Sequence, residues 1–264
     1  MQPGVGAVNS DARMKAIIIG AGRGRRLNAL TDQKPKCYAE VGGRSILDWT
    51  LEALTQGGVS DIVFVGGYLM EKIQADYPKF TYCRNADWPN NNILASLFCA
   101  EEHMDDGFLC TYSDTLYRSH VVRDAIAHPG DIVLGVDTDW RSRYVGRTQH
   151  PESDAEKVIA RGDRIQKVHR DIPSDQATGE YIGVARFSPR GAELLRKHYH
   201  RVKATHAGKP WREAAVFEKA YKILLYQEML EAGVVLQQAT TPGGYIEIDT
   251  EQDYAYANRV WTKE

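Results

Sequence analysis

The chain has 264 residues, with 33 Lys+Arg against 35 Asp+Glu, a formal net charge of -2 and 43% hydrophobic residues. A chain of this length buries a core that needs no disulfide or metal staple, which excludes the small secreted scaffolds, and its near-balanced charge excludes the basic face of a nucleic-acid binder. No apolar run approaches the roughly 20 residues needed to cross a bilayer, so neither nucleic acid nor membrane is expected as a partner. Cys37, Cys83, Cys99 and Cys110 show no CxxC spacing and read as free thiols. Residues 1–13 contain Pro3, Gly4 and Gly6 and lack the apolar stretch of a secretory signal. They read as a flexible extension ahead of one domain, 14–264, and the protein is expected in the cytoplasm.

In chain order, the apolar run KAIIIG at 15–20 predicts a central parallel strand covered on both faces, ending in a glycine-rich turn. Helical spacing predicts a helix over 45–56, stopped by Gly57 and Gly58. A strand at 61–66, a helix at 70–77, a strand at 80–85, a helix at 93–103, a strand at 107–112, a helix at 121–128 and a strand at 131–136 follow. Short strands near 157–159 and 164–168, joined by a turn at Gly162, predict an inserted β-ribbon. The remainder predicts a strand at 181–187, helices at 188–199 and 216–232, strands at 234–239 and 245–248, and a closing helix at 253–261. The alternation gives an α/β fold, a Rossmann-like mixed, mostly parallel sheet sandwiched by helices, with the ribbon in its second half.

The loop GAGRGRRL at 20–27 lies where such a sheet places its ligand, beyond the carboxyl end of the first strand. Gly20, Ala21, Gly22 and Gly24 let backbone amides approach phosphate oxygens, and Arg25, Arg26, Lys34 and Lys36 supply cations for a triphosphate. A dinucleotide fingerprint would need glycine where Arg25 stands, and no Lys-Ser or Lys-Thr follows the glycines as a Walker loop requires. Asp114 and Asp249 each end a predicted strand and can face the same crevice. On the residues alone, Asp114 is equally well a turn residue and Asp249 a cap for the last helix.

The run from Met14 to Leu27, followed by Leu30, Thr31, Lys34, Pro35 and Lys36 and by GGRSIL at 42–47, resembles the signature of nucleotidyltransferases that load a phosphorylated small molecule onto a nucleotide. The usual Ala-Ala-Gly is here Gly20, Ala21 and Gly22, a departure expected to be tolerated in a tight turn. The resemblance implies that Asp114 and Asp249, the latter within IDTEQDY at 248–254, hold Mg2+, that Lys36 contacts the nucleotide phosphates, and that Arg26 stabilises departing pyrophosphate. An ionised acceptor oxygen needs no side-chain nucleophile, so direct displacement is expected, with the histidines in surface or packing roles.

Asn85 and the stretch NNNILASL at 90–97 offer amides before a helix, with Asn91 and Ser96 placed to read a base and Asn92 to meet the acceptor. A polar loop with an Asn cap explains the same residues. This stretch resembles bacterial phosphocholine and 2-aminoethylphosphonate cytidylyltransferases, which implies CTP. The segments around Trp140, Tyr144, His150, Glu156 and Glu180 are similar to phosphonate-pathway nucleotidyltransferases. Trp140, Tyr144, Glu156, Glu180 and Tyr181 combine aromatic faces with carboxylates, the chemistry that receives a cationic amine. The expected function is therefore a Mg2+-dependent cytidylyltransferase acting on CTP and a small phosphonate or phosphate-ester acceptor. A sugar-1-phosphate nucleotidyltransferase and a non-catalytic nucleotide-binding homologue stand as alternatives, and a homodimer is left open.

Overall fold

The first strand, β1 (Lys15–Gly20), shows how the sequence pattern becomes a two-sided core. Its Ile17 and Ile19 pack with Val63, Val65 and Cys110 on one face, while Ala16 and Ile18 pack with Ile62, Phe64 and Leu109 on the other. A period of two with apolar residues on both sides is what a sheet covered by helices on both faces requires. The computed structural model describes residues 14–263; the extension expected at 1–13 lies outside them.

After β1 come a small hairpin, β2 (Glu40–Val41) and β3 (Arg44–Ser45), and then α1 (Ile46–Gln56), capped by the Ser45 side chain. Next are β4 (Asp61–Gly66), α2 (Met70–Asp76), β5 (Thr81–Arg84), α3 (Ile93–Phe98), β6 (Phe108–Tyr112), β7 (Thr115–Tyr117), α4 (Ser119–Ala127) and β8 (Ile132–Asp137). The second half adds β9 (Lys157–Arg161), β10 (Arg164–Val168), β11 (Gly179–Phe187), α5 (Pro189–His206), α6 (Lys222–Glu231), β12 (Gln237–Thr241), β13 (Tyr245–Glu247) and α7 (Glu251–Val260). The nine-stranded sheet runs β5-β4-β1-β6-β11-β8-β12-β10-β9. β5, β4, β1 and β6 pair in parallel, β11 is antiparallel to β6 and β8, β12 is parallel to β8, and β9 and β10 pair with each other antiparallel.

Parallel pairing aligns the carboxyl ends, so that Gly20 stands opposite Gly66 and Ile19 opposite Tyr112. The Ser113 amide then bonds the Ile19 carbonyl at 3.0 Å, which fixes Asp114 beside the glycine turn. β7 pairs with β13 in a separate two-stranded sheet, and the Ile248 amide donates to the Asp114 carbonyl at 3.0 Å. That small sheet, absent from the pattern reading, carries Asp249 to Asp114. The helix expected at 93–103 stops at Phe98 and resumes as the 3-10 turn Glu101–His103. The one expected at 216–232 splits into a 3-10 turn, Phe217–Lys219, and α6, with the turn packed against α3, where the Glu218 carbonyl accepts from the Asn92 amide. No helix among the described residues is long and apolar enough to cross a membrane.

Candidate active site

Gly24 adopts a left-handed conformation, with φ of 69°, and a Cβ there would lie 2.6 Å from the Lys36 Cδ. Glycine therefore serves twice: it turns the chain and leaves room for the lysine stem. Lys36 begins the 3-10 turn Lys36–Tyr38 directly after Pro35 and is buried. Its Nζ donates to Asp114 Oδ2 at 2.6 Å and also to Asp249 Oδ1. Arg26 reaches Asp249 Oδ2 at 2.5 Å from a largely exposed position. Burial alone would lower the Lys36 pKa, but the Asp114 and Asp249 carboxylates outweigh it and hold the ammonium above its ordinary value. Burial pushes Asp249 upward, and the Lys36 and Arg26 charges reverse this, so that it lies below the usual carboxylate value.

Asp249 is not the cap of the last helix. Thr250 fills that position: its hydroxyl accepts from the Asp253 amide, and the Asp253 carboxylate accepts from the Thr250 amide in a capping box. Asp249 is thereby left to face the cavity. Two residues earlier, at the end of β13, Glu247 also lines it, its carboxyl pushed well above the ordinary range by burial and by the charges of Asp249 and Asp114. His150 lines the cavity as well, buried between Glu247 at 3.6 Å and Asp253 at 3.2 Å, with an Arg147 Nη2 2.7 Å from its Nδ1. His150 thus has the packing role expected for the histidines, at a place where it also lines the cavity. Asp114 Oδ1 makes no hydrogen bond among the described residues although the atom is buried. An orphaned carboxylate oxygen beside a second carboxylate fits the oxygen-ligand chemistry of a hard divalent cation.

The cavity, of about 490 Å³, is lined by Gly20, Ala21, Gly22 and Gly24 on the turn side and by Asn91, Asn92 and Ser96 at α3. Asn85 is buried behind this wall, where its amide bonds Asn91 Oδ1 at 2.8 Å and Ser96 Oγ at 2.9 Å. It positions the wall and does not form part of it. Asn92 caps α3 through its Oδ1. Arg25 is exposed and lies off the cavity wall, because the 3-10 turn Arg25–Thr31 sends Arg26, the next residue, inward.

On the far side Glu156, Glu180 and Tyr181 line the cavity, but Trp140 and Tyr144 do not. These two rings pack on each other and on Ala155 in a separate apolar cluster. The Tyr144 hydroxyl donates outward from it to Glu180 Oε1 at 2.5 Å, and Arg143 holds Glu180 Oε2 at 2.7 Å and Asp137 with its other nitrogen. Aromatic residues in a polar stretch gave no sign of which face they occupy. Arg170, Tyr112, Tyr221 and Tyr245 line the same side without having been singled out, each brought there by tertiary packing. For Glu247 alone there was a local signal, its position in the predicted strand, two residues before Asp249.

The MobA-like NTP transferase domain matches residues 16–174, more than half of the chain. A CTP:phosphoglutamine cytidylyltransferase from Campylobacter jejuni is 30% identical over 185 residues, covering 66% of this chain and 73% of that protein. A UTP–glucose-1-phosphate uridylyltransferase from Haloferax volcanii is 30% identical over 143 residues, 50% of this chain and 58% of its own length. The solved CTP:phosphocholine cytidylyltransferase of Streptococcus pneumoniae superposes with a TM-score of 0.72 at 20% identity over 94% of this chain and 99% of that one, which shows the Rossmann-like α/β fold. Nucleotidyltransferases of this family generally use divalent metal ions. By its domain match and its relatives, the chain belongs to the MobA-like NTP transferase family and is a nucleotidyltransferase of the cytidylyltransferase type.

Proposed function

We propose that residues 14–264 form one domain that transfers CMP from CTP to a small phosphonate or phosphate-ester acceptor in the cytoplasm and releases pyrophosphate. The observation that carries this is the Lys36 ammonium standing between Asp114 and Asp249 beside the glycine turn. A Mg2+ ion held by Asp114 and Asp249 would neutralise phosphate charge during transfer. The backbone of Gly20 to Gly24 receives the triphosphate, and Lys36 holds the α-phosphate against the acceptor oxygen. Arg26, the exposed cation at the rim, follows the charge that develops on the leaving pyrophosphate. The acceptor oxygen is ionised at neutral pH, so positioning rather than base catalysis is the main task. Asn91 and Ser96, held from behind by Asn85, line the cavity and are the groups we read as meeting the cytosine edge.

The uridylyltransferase relative favours a second reading, transfer to a sugar 1-phosphate. Pyrophosphate release measured with Mg2+, crossing the four ribonucleoside triphosphates with 2-aminoethylphosphonate, phosphocholine, other small phosphonates and glucose 1-phosphate, separates them. Release with CTP and a phosphonate or phosphate ester is the expected result. Release only with glucose 1-phosphate would replace the acceptor, and release only with another nucleotide would replace CTP.

A further inference from the structure

The cavity wall opposite the glycine turn is built from tyrosines whose rings already meet cations of the chain itself. Lys222, wholly buried, lies 4.1 Å from the Tyr112 ring centre and 5.5 Å from that of Tyr181, and its Nζ bonds the Tyr181 hydroxyl at 3.0 Å. The Arg143 guanidinium lies 4.9 Å over Tyr245, and that of Arg170 lies 4.0 Å over Tyr221. The attraction a cationic head group would find on these rings is thus largely spent inside the protein. Both oxygens of Glu180 are likewise taken, by Tyr144 and Arg143. With Trp140 and Tyr144 off the wall, no empty aromatic cage remains among these residues.

Arg170 is the opposite case. It lines the cavity, its Nη2 touches Glu156 Oε1 at only 3.4 Å, and its Nε is buried with no hydrogen bond among the described residues. A guanidinium carries five N–H donors in a planar fork that suits a carboxylate, and a buried donor left without a partner requires an explanation. Resting on the transferase reading above, we propose that Arg170 binds a carboxylate of the acceptor, which makes the acceptor a phosphorylated or phosphonate-bearing carboxylic acid and not a quaternary ammonium ester. Tyr221 lies 4.0 Å from the guanidinium and Glu156 meets its Nη2, while the 30% of the side chain that stays exposed on the cavity wall is left for the ligand.

O-phosphoserine and phosphoethanolamine differ by one carboxylate and make the matched test. Calorimetric titration of each into the protein, with and without Mg2+ and α,β-methylene CTP, is compared for the wild type, Arg170→Met and Arg170→Lys. The wild type binds O-phosphoserine about ten- to a hundredfold tighter, as a charge-assisted bidentate contact provides. In Arg170→Met the two ligands bind equally, and Arg170→Lys retains part of the preference. A ratio of one in the wild type, a ratio unchanged in Arg170→Met, or binding of neither ligand would overturn the assignment. Pyrophosphate release from CTP, followed separately, reports on the transferase reading alone: turnover with a binding ratio of one removes only the carboxylate site, whereas a clear ratio without turnover of any acceptor removes only the transferase.

Discussion

On the glycine-turn side of the cavity the Lys36 ammonium stands between Asp114 and Asp249, with Arg26 reaching in from solvent. On the far side Arg143 and Lys222 are packed against buried carboxylates and tyrosine rings. On the proposed function, the first arrangement is open to exchange, because an arriving phosphate would take Lys36 and Arg26 while an arriving cation would take the carboxylates. The second is closed, since the charges there have partners supplied by the fold. One wall is thus built to rearrange around a charged ligand and the other to hold a fixed shape, and substitutions should separate activity from stability along that line.

The largest effect is expected on the open wall. Asp114→Asn and Lys36→Met should each cut pyrophosphate release on the order of a thousandfold, the scale of losing a charged group at a reacting phosphoryl centre. Asp114→Asn keeps the shape of the side chain and leaves Lys36 with Asp249, so its melting temperature should change little, whereas Lys36→Met leaves Asp114 and Asp249 without their shared cation and should lower it. Steady-state turnover and thermal unfolding of the same preparations check this. A variant that keeps full activity would remove its residue from the machinery, and one that unfolds would show that the open wall is structural after all.

The closed wall should give the reverse. Arg143→Met leaves Asp137, wholly buried, and Glu180 without their shared cation. Stranding buried carboxylates in this way costs about 3–5 kcal/mol, read as a lower denaturant midpoint. The double variant Arg143→Met with Glu180→Gln should recover part of the loss, which a purely steric defect would not do.

The same division governs what the sequence made legible. The glycine turn, Lys36 and Arg26 lie within one short segment, and strand-end aspartates follow from periodicity, so the open wall was readable locally. Bringing Asp249 to Asp114 nevertheless required the pairing of β13, read near 245–248, with β7, whose three residues are too short to leave a periodic signal. The closed wall draws Arg143 from a 3-10 turn, Tyr221 from just before α6 and Lys222 from its first residue, and Arg170, which faces the cavity beside them, comes from the loop after β10. Pattern cannot say that these meet. Trp140 and Tyr144 were misplaced for the same reason, since an aromatic ring in a polar stretch can face a ligand or a private cluster, and here it faces the cluster.

Gly20 sharpens the comparison at the boundary between the walls. A Cβ at this position would lie 2.5 Å from Phe64 Cζ and 2.7 Å from Ser113 Oγ. The departure from alanine is thus matched by the neighbours of this chain and is more than a tolerated reduction. Gly20→Ala should destabilise by about 1–3 kcal/mol, as overpacking does, and should also disturb turnover because Ser113 precedes Asp114. Pairing it with Phe64→Leu should restore the melting temperature if the ring is the obstacle.

The smallest effect concerns how Asp249 is held. Thr250→Ala removes the helix cap and should cost about 1 kcal/mol, roughly 2–4 °C in melting temperature for a chain of this size. Asp253 keeps more than the cap: its carboxylate accepts from the Thr250 and Asp249 amides at 2.9 and 3.1 Å and pairs with Arg147. Burial pushes the Asp253 carboxyl up, but His150 and Arg147 outweigh burial and hold it below the usual value. A depressed carboxylate contributes stability that is present at neutral pH and lost as the pH falls below about 4 toward its folded value. Unfolding curves against pH should therefore run parallel for the wild type and Thr250→Ala, offset by the cap. Asp253→Asn should start lower at neutral pH and fall less steeply in acid. Parallel curves for all three would mean that the His150–Arg147 partnership contributes nothing to holding Asp249, and that the helix cap alone fixes it.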